Sequence, residues 1–516
     1  MAREDKLLLS PGSIARQLYV LDPDRDERAP QLCAEALLTL AANKYAAPAS
    51  ADKLASPKRK AYAVRSLALS KNFLGGLTTG RAGDDTMTPE AYGAKLAAGE
   101  DVRESANLAL AKATLEGLID PDTQRGQEGA WLLRPFHESL LWYDARKASP
   151  RRDDYSVRKV YMRGSGITLA RLLLDPADPK DAANGAAAVV AIQQALTSAS
   201  PLGRISQRLE DAVRRDEMYR AVPGLEQDEE RAWEQGRDPR LQQLAGRLCR
   251  HAEGVMAQGG ASGPARLWQL RTVFALDLAD HALRAAWDRT ATDAANRYLL
   301  LSFGRQARAQ DPVRQLSEES YRLARIRLAE ATVQTLAERM AELKTSGERD
   351  WTSQFEPRSG LGDNEPSSVA SQLRQLPWDA PRSEFDRLAR AAVERANYSR
   401  AEDGFRVLIQ SVGLLGGGSR YQYLTGTPDL LAAMVGALSA RMPMSSHEFF
   451  AACRDEWGFV INQDSAAGTS LAGQVDGAGL ERNARRAERL LSEAGLAVGL
   501  SDRTTVVGER ASRVQP

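Results

Sequence analysis

The chain has 516 residues and a formal net charge of +1 at pH 7, with 43% hydrophobic and 27% charged residues. These proportions are those of folded globular proteins and exclude a wholly disordered chain. The near-zero charge excludes attraction of the whole molecule to nucleic acid or to an anionic membrane, so such binding must come from a local patch. Aromatic residues make up only 6%, and the apolar mass is mostly alanine and leucine, which favours helix over sheet.

Cysteine usage and the absence of targeting patterns predict a cytoplasmic protein. Cys33, Cys249 and Cys453 are too far apart to indicate a disulfide framework or a zinc site. The first residues lack the apolar run and the small-residue cleavage site of a signal peptide. No apolar run approaches the roughly 18 residues that a transmembrane helix needs. We therefore expect no membrane partner, and the composition, rich in alanine and arginine, is typical of a prokaryote.

Taken in chain order, the patterns predict a mainly α, multi-domain helical bundle. Residues 1–127 form the predicted N-terminal helical domain, and residues 128–344 form a central segment that is rich in aromatic residues and ends in a helical bundle. Residues 345–381 hold four prolines and three glycines, which predicts a linker. Residues 382–516 form the predicted C-terminal domain.

The clearest predicted helices of the bundle cover residues 265–288 and 317–344. The first is apolar on several sides, which places it at the centre of a bundle. In the second, the apolar positions repeat every three, four or seven residues, as in an antiparallel seam. These positions are Leu323, Ile326, Val333, Leu336, Met340 and Leu343.

The C-terminal domain contains three predicted helices followed by a β-hairpin. The first helix covers residues 428–440, and the second follows Ser445–Glu448, which fits the S-x-x-E capping box. The third covers residues 480–494, and two β-rich runs, 496–500 and 504–507, come after it. This is the order of a winged helix, so we predict a winged-helix-like module at about residues 428–510.

The third helix separates an apolar stripe from a row of arginines. The predicted buried stripe is Leu480, Ala484, Ala487, Leu491 and Ala494, and the candidate DNA-binding residues are Arg482, Arg485, Arg486 and Arg489, with Arg503 at the hairpin tip. In helix-turn-helix proteins this helix enters the major groove, where arginine contacts phosphates and guanine edges. Glu481, Glu488 and Glu493 leave a second interpretation open, in which the arginines belong to a solvated, salt-bridged face or to a protein-binding module.

No catalytic motif, metal site or cofactor site is predicted. The four histidines, His137, His251, His281 and His447, lack metal-ligand spacing. His137-Glu138 and the loop Gly164-Ser165-Gly166 are where an enzyme site would first be sought, although structural turns are the preferred interpretation. The run from Gly416 to Tyr421 is a connector or a contact for a backbone phosphate.

The tail from about Tyr421 to Val507 contains short motifs that are similar to those of a known group of proteins. Its residues are Tyr423, Pro428-Asp429-Leu430-Leu431, His447-Glu448-Phe449-Phe450, Leu490-Leu491, Gly495-Leu496 and Leu500-Ser501-Asp502. This stretch, under a fifth of the chain, resembles C-terminal regions of bacterial anti-phage defence proteins, most nearly a non-catalytic component of methylation-associated systems. The resemblance implies DNA nearby and partner subunits such as a methyltransferase or an ATPase, and it transfers no catalytic residue.

The leading hypothesis is therefore a non-catalytic accessory component of a prokaryotic antiviral defence system. It would bind DNA, partner subunits or both through the C-terminal winged-helix-like module. One alternative is a purely structural helical scaffold, in which the bundle around residues 265–344 docks another subunit. The other alternative is an enzyme whose site the sequence does not reveal.

Overall fold

The fold is known from a computed structural model. It describes residues 9–21, 28–42, 145–149, 152–157, 165–197, 238–259, 261–290, 297–304, 311–355, 359, 361–362, 365–395, 400–418, 421–439, 442–501 and 504–508.

These residues are mainly helical, which confirms the predicted fold class at that level. The helices are α1 (Pro11–Tyr19), α2 (Ala29–Ala42), α3 (Ser165–Leu174), α4 (Pro179–Leu196), α5 (Pro239–Met256), α6 (Gly263–Arg289), α7 (Pro312–Thr345), α8 (Val369–Gln375), α9 (Arg382–Arg395), α10 (Arg400–Ser411), α11 (Pro428–Ser439), α12 (Ser446–Trp457), α13 (Gln463–Ala466) and α14 (Gly477–Glu493). A 3-10 turn covers Trp351–Gln354. None of the described helices is both long enough and apolar enough to cross a membrane.

The strands are short and form small separate sheets. They are β1 (Ala145–Ser149), β2 (Arg152–Val157), β3 (Leu299–Leu300), β4 (Leu415–Gly416), β5 (Tyr423–Leu424), β6 (Met444–Ser445), β7 (Phe459–Val460), β8 (Ala497–Ser501) and β9 (Thr504–Val507). The pairs β1–β2 and β4–β5 are antiparallel, whereas β3 and β7 are parallel.

Contacts divide the chain into two compact units. Unit 1 comprises residues 1–27, 237–247 and 275–516, and unit 2 comprises residues 28–236 and 248–274. Each unit is assembled from separated stretches of the chain. The division predicted from the sequence consists of consecutive stretches, because composition changes reveal boundaries along the chain and not which distant stretches pack together.

In unit 2, the helices α2, α3 and α4 pack on one another. The backbone N–H of Gly166, in the first turn of α3, donates to the Glu35 carboxylate at 2.9 Å. A Cβ on Gly166 would lie 2.5 Å from the carbonyl oxygen of Leu32. Glycine at this position therefore allows α3 to approach α2 closely.

In unit 1, one core forms on the C-terminal half of α7. Its buried members come from α1 and the residues before it, from α7, α8 and α9, and from the chain between α7 and α8; they include Leu9, Ile14, Leu336, Met340, Trp351, Phe355, Leu361, Leu373 and Leu388. Trp351, Phe355 and Leu361 belong to residues 345–381, so apolar side chains of the predicted linker are part of this core. The prolines and glycines of this segment mark turns, and the apolar side chains between them attach those turns to α7.

The N-terminal half of α7 differs from the predicted seam. Val333, Leu336, Met340 and Leu343 are buried as predicted, but Leu323 and Ile326 are 40% and 37% exposed. The buried face in this half carries hydroxyl groups: Ser320 Oγ accepts from the Leu300 N–H at 3.2 Å, and Ser317 Oγ accepts from the Leu424 N–H at 2.9 Å. A search for apolar periodicity overlooks such positions, because these polar groups are buried through hydrogen bonds to strand backbone.

Two arginines of unit 1 bind the C-terminal end of α12. Arg247 on α5 and Arg284 on α6 both pair with Asp280. Both also donate to the Glu456 carbonyl oxygen, at 3.3 and 2.9 Å. Guanidinium groups stabilise the partly negative end of a helix, so this buried charge cluster has a structural role.

The last described residues form helices around a three-stranded sheet. Their order is α11, β6, α12, β7, α13, α14, β8 and β9, and the order across the sheet is β6–β9–β8. β9 pairs antiparallel with both neighbours: Val506 lies opposite Ser445 on one side and Val498 on the other. The predicted hairpin of β8 and β9 is confirmed. Ser445 and Glu448 form the predicted capping box at the start of α12.

Candidate nucleic-acid interface

The candidate interface is built on α14, which has one buried and one charged face. Asp476 caps the helix by accepting from the Gly479 N–H, and Gly495 follows it in the left-handed conformation at φ 70°. The buried face is Gly479, Leu480, Asn483, Ala484, Ala487 and Leu491. This confirms four members of the predicted stripe. Ala494 is exposed because it comes after the last helical residue.

A buried asparagine holds α14 in place. Asn483 Oδ1 accepts from the Phe303 N–H at 2.8 Å, and Asn483 Nδ2 donates to the carbonyl oxygens of Leu301 and Ile461 at 2.8 and 2.9 Å. These bonds satisfy backbone groups of the residues that directly follow β3 and β7. The orientation of the arginine face is therefore set by a polar contact within the core.

The four arginines of α14 differ in their surroundings. Arg482 and Arg489 are exposed, and neither forms an ion pair with another described residue. Arg485 Nε lies 3.1 Å from Glu481 Oε1, but its side chain is 73% exposed. An exposed pair of this kind contributes at most about 1 kcal/mol, so a phosphate can compete with Glu481 for Arg485.

Arg486 has a more structural position. Its Nη1 lies 3.5 Å from Oδ2 of Asp311, whose side chain is only 5% exposed. Asp311 is also the N-cap of α7, where its Oδ1 accepts from the Arg314 N–H at 3.3 Å. Arg486 thus connects the charged face of α14 to the start of α7.

Two carboxylates near α14, those of Glu488 and Glu448, form hydrogen bonds with α12 or its cap. Glu488 accepts a hydrogen bond from the Ser446 hydroxyl at 2.5 Å, which links α14 to the first turn of α12. The backbone N–H and the hydroxyl of Ser445 lower the pKa of the Glu448 carboxyl. Both acidic groups therefore help to position α12 and α14.

The positive charge of the C-terminal region is concentrated on α14 and does not extend over the whole segment. Residues 428–508 carry seven arginines and ten aspartates or glutamates. This excess of acidic residues gives the segment as a whole no net attraction to nucleic acid. Arg503, the candidate at the hairpin tip, lies outside the described residues.

The other candidates from the sequence that the structure describes do not come together in a site. His137, Glu138 and Gly164 lie outside the described residues. The N–H of Gly166 is bound to Glu35 and is not available for an anion. His281 is buried, its ring donates from Nε2 to the Tyr19 carbonyl oxygen at 2.8 Å, and burial lowers its pKa to about 4. Among the described residues, no group of histidine, cysteine and acidic side chains could hold a metal ion.

A surface cavity of about 280 Å³ in unit 1 is lined in part by Arg240, Asp288 and Arg289. Both arginines are already paired, Arg240 with Asp238 and Arg289 with Glu338. The carboxylates around this cavity thus offset its cations, and it does not favour an anionic ligand.

Sequence reasoning located the arginine row but missed two residues that determine its geometry. Asn483 falls three residues after Leu480, within the apolar stripe, and a polar residue at that position was a detectable signal. Asp311 gave a weaker signal, as an acidic residue directly before Pro312 at a helix start. Its proximity to Arg486 results from tertiary packing alone.

Comparison of the chain with protein-family models, with curated proteins and with solved structures finds no significant match.

Proposed function

We propose that residues 428–508 are a winged-helix module that binds double-stranded DNA, with α14 in the major groove. The order α11–β6–α12–α14–β8–β9 and the central position of β9 in the sheet support this proposal. In this arrangement the third helix projects its outer face, and the hairpin lies beside it.

The observation that carries the proposal is the solvent-facing row on α14. Arg482, Arg485 and Arg489 are exposed on a helix whose opposite face is buried. Arginine binds phosphate and the O6 and N7 atoms of guanine with two parallel donors, so this row suits both backbone and base contacts. Asn483, on the buried face, holds the row in a fixed orientation.

We further propose that the protein is a non-catalytic accessory component of a prokaryotic antiviral defence complex. The resemblance of the tail to such components supports this role, with other subunits of the complex, such as a methyltransferase or an ATPase, as partners in the cytoplasm. No residue is assigned a catalytic role.

A second candidate function is that of a scaffold that docks another subunit. The exposed Leu323 and Ile326, one turn apart on α7, favour it, because a partner gains by covering adjacent apolar side chains. The excess of carboxylates over arginines in residues 428–508 also suits a protein partner better than DNA.

The two functions are separated by DNA titrations of paired variants. The Arg482→Ala/Arg489→Ala variant should bind duplex DNA more than about tenfold more weakly, with a salt slope smaller by about 2. Arg374→Ala/Arg390→Ala removes two exposed arginines of α8 and α9 and serves as the control for net charge. Equal binding by both variants and the wild type would refute the DNA proposal. The Leu323→Ala/Ile326→Ala variant should retain DNA binding in either case. Loss of a partner subunit from this variant is expected only if the scaffold proposal holds.

A further inference from the structure

An arrangement of strands and helices similar to that of the C-terminal module occurs earlier in unit 1. The N–H of Ser302, which follows β3, donates to the Leu424 carbonyl oxygen in β5 at 2.8 Å. On its other side, β5 pairs antiparallel with β4, with Leu415 opposite Leu424. β5 therefore lies between β4 and the residue that follows β3, in a place similar to that of β9 between β6 and β8, although β3 itself pairs with β7.

The helices also occupy corresponding places in the chain order. α7 follows the first strand as α12 follows β6, and α10 precedes the hairpin as α14 precedes β8. α7 packs against β3, β5 and α10, and the Ser317 hydroxyl on α7 bonds to both backbone groups of Leu424. The helices α8 and α9 are inserted between α7 and α10. Residues 299–424 thus contain the elements of a second unit of this kind, in which β4–β5 occupies the place of the wing.

The β4–β5 hairpin lies close to the arginine face of α14. Arg486 pairs with Asp311, and one turn further along α7 the guanidinium of Arg314 lies 4.2 Å from the centre of the Tyr423 ring in β5. With the hydrogen bond from the Arg314 N–H to Asp311, three successive contacts lead from the α14 row to the hairpin. The N-terminal turn of α7 is shared between them.

The hairpin is a better candidate for contacting DNA than α10. Among the described side chains of α10, Glu402 pairs with Arg325 and Asp403 pairs with Arg406. The described part of the hairpin turn begins with Gly417 and Gly418. Gly417 has a φ of 87°, and a Cβ there would lie 2.2 Å from the Tyr421 carbonyl oxygen, so glycine is required.

The described tip also carries groups that suit a phosphate. A Cβ on Gly418 would meet no atom within 4 Å, and the Tyr421 side chain is 52% exposed. Backbone N–H groups and tyrosine hydroxyls are common donors to DNA phosphates, and glycine allows the sugar-phosphate backbone to approach closely.

We propose that the β4–β5 hairpin contacts the DNA backbone beside the groove that α14 occupies, so that two successive wing-like hairpins flank one DNA site. This inference rests on the proposed function of α14. It assigns the DNA-contacting surface to the described residues of the β4–β5 hairpin together with α14, and not to the C-terminal module alone.

The test introduces charge at Gly418, where the backbone conformation is outside the left-handed region and the space is open. Gly418→Lys should strengthen binding to a duplex of random sequence about two- to fivefold and steepen the salt slope by about 1. Gly418→Glu should weaken binding by a similar factor. Ala187→Lys and Ala187→Glu, at an exposed position of α4, are the controls for net charge. Thermal unfolding of all four variants verifies that the fold is retained.

The outcomes separate this inference from the function on which it rests. If Arg482→Ala/Arg489→Ala weakens binding while both Gly418 variants behave like the Ala187 controls, the hairpin proposal is wrong and the α14 proposal stands. If the wild type shows no salt-dependent binding of duplex DNA, both are wrong. Opposite effects of lysine and glutamate at Gly418, absent at Ala187, are the result that supports the hairpin contact.

Discussion

The indole N–H of Trp457 donates to Oδ1 of Asp277 at 2.8 Å, although 180 residues separate them in the chain. Both side chains are almost fully buried. Trp457 ends α12, immediately before Gly458 and β7, and Asp277 lies near the middle of α6. The bond therefore links the middle of unit 1 to the C-terminal region that carries α14.

The first prediction concerns this bond. Trp457→Phe keeps most of the buried ring but leaves the Asp277 oxygen without its indole donor. We expect it to lower the free energy of unfolding by about 1–3 kcal/mol beyond the loss of packing. Trp351→Phe is the matched control, because the Trp351 indole N–H is buried without a partner among the described residues. Urea denaturation should show a larger loss for Trp457→Phe, and equal losses would contradict the assignment.

The second prediction concerns the attachment of α14. Asn483→Ala removes three hydrogen bonds and leaves the Phe303 N–H and two carbonyl groups unsatisfied in the core. We expect unfolding to become easier by about 2–4 kcal/mol. Arg482→Ala, one residue away on the exposed face, should change stability by less than about 0.5 kcal/mol. Chemical denaturation of the two variants makes the comparison, and a mild effect of Asn483→Ala would argue against its anchoring role.

The third prediction uses the pair of Asp311 and Arg486. Asp311→Asn retains a good N-cap for α7 but removes the negative charge beside Arg486. Arg486 then becomes available to DNA, so affinity should rise and the salt slope should increase by up to about 1. Adding Arg486→Ala to this variant should abolish the gain. A gain that persists in the double variant would show that Arg486 is not responsible.

The fourth prediction is a dependence of stability on pH. Burial lowers the pKa of His281 from 6.5 to about 4, so between these values the unfolded chain binds a proton that the folded chain does not. Stability should therefore fall as the pH drops from 6.5 towards 4, by about 3 kcal/mol from this group. His281→Gln can still donate to the Tyr19 carbonyl oxygen and should flatten this slope. Denaturation midpoints of both proteins at pH 7 and pH 5 provide the measurement.

The C-terminal elements could be predicted closely because their signals are local. Ser445 and Glu448 are three residues apart, the apolar stripe of α14 lies on one helix, and the β8–β9 hairpin joins neighbouring runs. Each depends on the spacing of residues within about ten positions. The same reasoning identified the exposed arginines of α14, because amphipathic periodicity indicates which side of a helix faces water.

The remaining features depend on contacts between distant residues. Nothing near Asn483 in the sequence indicates Phe303 as its partner, and nothing near Arg486 indicates Asp311. The burial of Trp351 within a segment rich in proline and glycine required knowledge of the surface on α7 that receives it. The exposure of Leu323 and Ile326 has the same origin, because strands bonded to Ser317 and Ser320 occupy a different side of that helix.

The parallel pairing of Leu299 with Phe459 has a consequence for the newly made chain. About 160 residues must be synthesised after β3 before β7 exists, which at ordinary rates of translation takes on the order of 8–30 s. For that interval β3 leaves the ribosome without its neighbouring strand, and Leu300 lacks the Val460 side chain that later covers it. Assembly of the arginine face must therefore await the synthesis of β7 and α14, and until then the edge of β3 is open to pairing with other chains.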